Sequence, residues 1–330
     1  MQRDARLVAV SFDPGLAGRA IIAAALGDAA TIAVLPDLAP AARAATLARA
    51  AVLLARNTDR DLSPDERGAL AGMTLIQFVP AGIDFIPIGD LPAGVPVASN
   101  AGAYSAPMAE HALAMALAAA KRLIPEHEEL RRGAFNQLAP NRMLAGLTAG
   151  ILGFGGIGQA TARLLRAVGM RIHAINRGGR TPEPVDWIGT TADLDALLAA
   201  SDVLVVSIPL TRATAGLIGA RELGLMKPDA ILLNLARGEI IAEAALFAHL
   251  QAHPGFTAGI DAWWIEPVRH GRFAMDHPFM TLPNVIGSPH NSASVPQTGP
   301  EGLRLAAENC ARALRGEAVR NLVTDADRFL

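Results

Sequence analysis

Short apolar runs and helix-period segments alternate along almost the whole chain. Residues 7–12, 33–35, 52–55 and 75–79 are apolar and short enough for buried strands, and 18–26, 41–49 and 64–70 between them carry helical spacing. Ser63 before Pro64, with Glu66 three positions after the cap, predicts a capped helix start. A long alanine-rich helix is predicted from about residue 105 to 123, with polar helical sequence to 132 and a loop over 133–146. A second series follows: strand 149–152, a helix marked by Ile157, Ala160, Leu164, Leu165 and Val168, and strand 172–175. Next come a polar loop with Pro182 and Pro184, helix 193–199, strand 202–208, helix 221–226, strand 230–235, helix 242–251 and strand 257–261. This order predicts an α/β protein with parallel sheets and crossover helices.

At 330 residues the chain is long for one core, so two domains are expected. Pro and Gly punctuate residues 95–102, which read as a crossing between blocks. The last helix, about 301–314, is expected to return to the first block. The expected boundaries are therefore 1–98 plus 291–330 for one domain and 99–290 for the other, with a cleft between them.

Composition narrows the classes of function. Apolar residues make up 51% and charged residues 18%, as in a globular protein with much buried surface, and a net charge of −2 gives no reason to expect a nucleic-acid or membrane-surface partner. The opening MQRDARLVAVSF has no signal-peptide core, and the apolar run at 112–120 is too short to cross a bilayer. Cys310 is the only cysteine, so no intramolecular disulfide forms and a cytoplasmic setting is expected. No Cys/His spacing resembles a zinc site, and no metal is expected.

Within the second series, Gly153-Phe154-Gly155-Gly156-Ile157-Gly158 links a strand to a helix, the context in which a glycine fingerprint predicts dinucleotide binding. Gly153 permits the tight turn, Gly155 lets backbone N–H groups approach a pyrophosphate, and Gly158 lets helix and strand pack closely. The helix N-terminus favours the phosphate charge. Three polar residues stand at or just past the ends of later strand-like runs: Arg237 after 232–236, Glu266 a short step beyond 258–261, and His290 after 285–289. They supply a fixed cation for a carboxylate, a carboxylate that tunes an imidazole, and an acid/base group near neutral pH. Glu110 and His111, inside the long helix, are expected to bond locally or face a packed partner.

Taken in order, several segments resemble the D-isomer-specific 2-hydroxyacid dehydrogenase family over nearly the whole chain. They are residues 79–84, Ala109-Glu110-His111, 152–158, Ser207-Ile208-Pro209-Leu210-Thr211 with Thr214, Asn234-Leu235-Ala236-Arg237-Gly238, Asp261 through Glu266-Pro267, and Ser288-Pro289-His290. The resemblance implies two Rossmann-like domains with the cofactor domain inserted into the substrate domain, and a homodimer. It implies Arg237, Glu266 and His290 as catalytic residues and a small 2-oxo or 2-hydroxy acid as substrate. Arg237 would hold the substrate carboxylate and C2 oxygen, Ala81 and Gly82 N–H groups would complete carboxylate binding, and His290, oriented by Glu266, would give a proton to the developing alkoxide. The cofactor would be held by 153–158, Ser207, Pro209, Thr214 and Ala236, with Asp261 on the nicotinamide carboxamide, and domain closure would exclude water.

The nucleotide is read from the end of the second strand of that unit. NAD-binding versions carry an acid there, bonded to the ribose hydroxyls. Here Ile175 leads into Asn176-Arg177-Gly178-Gly179-Arg180. Asn176 removes the repulsion of a 2′-phosphate, and Arg177 and Arg180 bring positive charge, so NADP is the expected cofactor and NAD the alternative. This pattern is similar to NADP-using glyoxylate/hydroxypyruvate reductases of the family. Trp263 and Trp264 are bulkier than the family's usual residues, and at least one is expected in the core. Residues 291–294 are more polar than usual, and Tyr104 at the crossing could reach the cleft. The alternatives are a formate- or phosphite-type dehydrogenase, a nucleotide-sensing corepressor, and an inactive protein of the same fold. The formate branch carries Gln where Glu266 stands, and the trio argues against inactivity.

Overall fold

The computed structural model describes residues 3–324, which form two compact α/β units. One unit takes in the chain up to Tyr104 and again from Val295, and the other is the intervening Ser105–Ser294.

The first unit is built on a five-stranded parallel sheet in the order β2-β1-β3-β4-β5. Its strands are β1 (Asp4–Val10), β2 (Thr31–Val34), β3 (Ala50–Ala55), β4 (Leu75–Phe78) and β5 (Val97–Ala98). Every residue of β3 is buried, because a central parallel strand covered on both faces needs a continuous apolar run. The predicted capping box is present. Ser63 Oγ accepts the Glu66 N–H, and the Glu66 carboxylate accepts the Ser63 N–H at 2.9 Å. The helix Thr298–Leu314 packs on this sheet and on the helix Gly15–Leu26.

The unit ends at Tyr104 rather than at residue 98 because the crossing is tied back to it. The Asn100 amide donates to Val79 O and Gly302 O, and Tyr104 Oη donates to Val79 O at 2.8 Å. A Cβ on Gly302 would stand 2.8 Å from Tyr104 Oη, so glycine there makes room for the phenol ring.

The second unit carries a seven-stranded parallel sheet in the order β12-β11-β10-β9-β6-β7-β8. The strands are β6 (Thr148–Leu152), β7 (Arg171–Ile175), β8 (Trp187–Gly189), β9 (Val203–Val206), β10 (Ile231–Asn234), β11 (Thr257–Ile260) and β12 (Val285–Gly287). The order runs outward in both directions from β6 and β9. Their carboxyl ends therefore flank the switch point where α/β sheets bind ligands. The sequence reading differs most at two places. The polar loop after β7 contains the edge strand β8, and the long helix is interrupted: Ser105–Ala120 ends before Arg122, whose φ of 52° breaks the helix ahead of Leu123–Arg131. Residues 291–294 stay with this unit because the Asn291 and Ser292 N–H groups donate to the Asp261 carboxylate. Among the described residues no helix is long and apolar enough to cross a membrane.

Candidate active site

The glycine turn between β6 and the helix Gly156–Ala167 has three different constraints. Gly153 has a φ of 104°, and a Cβ there would meet Ile208 N at 2.6 Å and Ser207 C at 2.7 Å. A Cβ on Gly158 would stand 2.3 Å from Gly153 O, so close helix–strand packing excludes any side chain. At Gly155 a Cβ would meet nothing within 4 Å, so this glycine leaves open space rather than filling a packed contact. The helix start has Gly155 as its cap residue, no side-chain cap and no acid in the first turn, so its N–H end suits an anion. Open space at the middle glycine and an uncapped helix start fit a dinucleotide pyrophosphate. Phe154 is buried, while Gly156 and Ile157 begin the helix.

The side chains around this turn shape it. Ser207 Oγ donates to Gly153 O at 2.8 Å. Thr214 Oγ1 donates to Pro209 O at 2.7 Å and accepts the Thr211 N–H, closing the turn after β9. Past β7, Asn176 Oδ1 accepts the Gly178 N–H and its Nδ2 donates to Arg180 O, so the amide braces the 176–180 loop. Arg177 and Arg180 are exposed on that loop.

Three loops at strand carboxyl ends carry the candidate chemistry. After β10, the Asn234 amide brackets a turn, accepting the Ala236 N–H and donating to Arg237 O. Arg237 Nη1 donates to Ala236 O at 2.7 Å. The next residue, Gly238, lies against the loop after β11: a Cβ would stand 2.4 Å from Trp263 C. In that loop the Trp263 N–H donates to Glu266 Oε1 at 2.7 Å. After β12, His290 places Nδ1 2.8 Å from each oxygen of Glu266. Burial by itself raises the Glu266 pKa, but bonding from His290 and the Trp263 N–H, with the positive charges of His290 and Arg237, holds the carboxyl below its ordinary value. Thus Glu266 and His290 are hydrogen-bonded, and the charge of Arg237 acts on the same carboxylate. Ala81 and Gly82 lie in the first unit, beyond β4.

His290 adopts a φ of 50°, uncommon for a residue with a Cβ. Asp261 holds the segment around it. The carboxylate is fully buried, accepting Ser288 Oγ at 2.5 Å and the N–H groups of Asn291 and Ser292, while Asp261 O accepts the His290 N–H at 3.0 Å. The sequence reading expected Asp261 at the nicotinamide carboxamide; in the structure its carboxylate is buried and its oxygens are engaged within the loop. Ser288, named in the sequence only as part of the Ser288-Pro289-His290 segment, had no role assigned to it there. Both indoles also serve the scaffold. Trp263 Nε1 donates to Ser288 O, and Trp264 Nε1 donates to Ile241 O while its ring stacks on Phe279.

Together these features define a two-unit α/β protein whose second unit has a dinucleotide-type glycine turn and an Arg–Glu–His set in loops at strand carboxyl ends. The profile of the D-isomer specific 2-hydroxyacid dehydrogenase NAD binding domain matches residues 113–292, and the chain belongs to that family. It is 33% identical over 232 residues to a D-3-phosphoglycerate dehydrogenase of Archaeoglobus fulgidus. That match takes in 70% of this chain and 43% of the relative, so the matched region spans less than half the relative's length. A glyoxylate reductase/hydroxypyruvate reductase of Mus musculus is 31% identical over 273 residues, covering 81% of this chain and 82% of that protein. A D-isomer specific 2-hydroxyacid dehydrogenase from Xanthobacter autotrophicus, solved with NADPH and MES, superposes with a TM-score of 0.75 at 26% identity, covering 97% of this chain and 98% of that one.

Proposed function

We propose that this chain interconverts a small 2-oxo acid and its D-2-hydroxy acid, using NADP(H) in preference to NAD(H). The observation that carries this reading is the His290–Glu266 pair. With Nδ1 held at 2.8 Å from both carboxylate oxygens, Nε2 is the nitrogen left to exchange a proton with substrate. When bound, the nicotinamide supplies the hydride that adds to C2. Arg237 holds the carboxylate and the C2 oxygen, two acceptors that match its planar fork. His290 gives its proton to that oxygen as negative charge develops there. Glu266 stays anionic and keeps the ring oriented. The 31% identical mouse relative, named for glyoxylate and hydroxypyruvate, supports small 2-oxo acids as the first substrates to test.

The NADP preference rests on the 176–180 loop, where Asn176 stands in place of an acid and Arg177 and Arg180 are exposed, and is supported by the NADPH bound to the Xanthobacter protein. A homodimer is supported by the apolar side chains exposed along 123–143, among them Leu130, Phe135, Leu138 and Met143. A cytoplasmic setting suits Cys310, a buried free thiol.

The test is NADPH oxidation with glyoxylate, hydroxypyruvate, pyruvate and phenylpyruvate, repeated with His290→Ala. Turnover of at least one acid that collapses in the variant is expected. Equal turnover by the variant would remove His290 as the proton donor, and no turnover of any acid would favour a nucleotide-binding role without this chemistry.

A further inference from the structure

The helix Ser105–Ala120 contributes one polar side chain to the network around the candidate proton donor. His111 Nε2 lies 3.0 Å from Ser288 Oγ, across 177 residues of sequence, and 3.9 Å from Asp261 Oδ1. Ser288 has a single hydroxyl proton, and its 2.5 Å bond to Asp261 Oδ1 takes that proton, since a carboxylate only accepts. His111 Nε2 must therefore be protonated and donate to Ser288 Oγ. The order is His111 N–H to Ser288 Oγ, then Ser288 O–H to Asp261.

Asp261 in turn grips the chain on both sides of residue 290. Its carboxylate takes the Ser288 hydroxyl before it and the Asn291 and Ser292 N–H groups after it, and its carbonyl takes the His290 N–H. Between these holds His290 keeps a left-handed backbone, a conformation that persists only where its surroundings over-determine it. Without the His111 donor, the Ser288 oxygen keeps its bond to Asp261 but loses the N–H that anchors it to the helix, and the buried Asp261 carboxylate loses an imidazole 3.9 Å away.

We propose that His111 is a positioning residue, holding the His290 imidazole in register through Ser288 and Asp261. The proposal rests on the reading of His290 as proton donor and adds a residue that touches neither substrate nor cofactor.

The experiment compares His111→Ala, His111→Gln, Ser288→Ala and the His111→Ala/Ser288→Ala double variant. Each is assayed with NADPH and whichever 2-oxo acid of the panel turns over fastest. NADPH affinity, thermal midpoint and the imidazole NMR resonances of His290 without cofactor are measured alongside. A misplaced reacting group costs up to about a hundredfold, so His111→Ala should lower kcat roughly ten- to hundredfold with KM and NADPH affinity unchanged. Its His290 imidazole resonances should move from their wild-type positions. His111→Gln, whose amide can donate to Ser288, should recover most of kcat, and the double variant should be no worse than the poorer single one. A wild-type kcat in His111→Ala overturns the proposal. So does a loss that falls equally on NADPH affinity and thermal midpoint and is not recovered by Gln. His290→Ala separates the two levels. If that variant keeps turnover, the proton-donor reading fails. If it is dead while His111→Ala is unaffected, only the positioning role fails.

Discussion

His290 Nδ1 stands 2.8 Å from both oxygens of Glu266, and the Trp263 N–H donates to the same carboxylate. Replacing the anion by an amide keeps the size and removes the charge. Glu266→Gln should therefore lower kcat by about 10²-fold or more, the range of a general acid–base contribution, with a smaller effect on KM. Steady-state kinetics at saturating NADPH would measure it, and an unchanged kcat would dismiss the pairing as incidental to turnover.

The same carboxyl makes a pH prediction about stability. Its folded-state pKa is depressed, so Glu266 stabilises the fold at pH values above its unfolded-state pKa. That contribution is lost as the pH falls through the lower, folded-state value. Urea unfolding across an acid pH series should show wild type losing stability more steeply than Glu266→Gln below the ordinary glutamate range. Parallel curves would mean that the carboxyl is not depressed.

Gly153→Ala should damage the fold before it damages chemistry. The backbone is in the left-handed region, and the new Cβ would meet main-chain atoms of Ser207 and Ile208, which cannot swing aside. Backbone strain alone predicts a loss of about 1–3 kcal/mol, with the clash adding to it. Denaturant unfolding measures the loss. A variant as stable as wild type would show that the β6 turn relaxes freely.

Arg177→Ala and Arg180→Ala should each reduce kcat/KM for NADPH and leave NADH nearly unaffected, because only the former carries a 2′-phosphate to meet the guanidinium. Kinetics with both cofactors decide it. A higher wild-type kcat/KM for NADH would overturn the NADP preference itself.

Gly238→Ala probes the contact between two of the three loops. Its Cβ would press on Trp263 C at 2.4 Å and Trp264 N at 2.5 Å, pushing on the residue whose N–H holds Glu266. Overpacking of this kind costs about 1–3 kcal/mol. A fall in kcat with a shift in tryptophan emission is expected. Wild-type emission with wild-type kcat would mean that the loops move apart without consequence.

Much of this was legible in local pattern. The glycine turn, the strands around it and the capping box at Ser63 are set by neighbours in sequence, and periodicity reports neighbours. What stayed hidden is carried by long-range pairs. His111 meets Ser288 across 177 residues, and no spacing rule links them. Asp261 is marked by resemblance alone, and the bonds that bury its carboxylate come from donors up to 31 residues on. β8 was missed because Pro182 and Pro184 precede a strand of three residues, too short to show an alternation. The break at Arg122 was missed because Arg is a good helix former and gives no local stop signal.

The left-handed backbone at residue 290 also bears on how this site drifts. Glycine and asparagine accept that conformation more readily than histidine does. The backbone at residue 290 thus carries a bias of its own toward residues without an imidazole. In the laboratory the same bias makes His290→Asn the better inert template. It keeps the turn, so a loss of turnover shared with His290→Ala belongs to the imidazole.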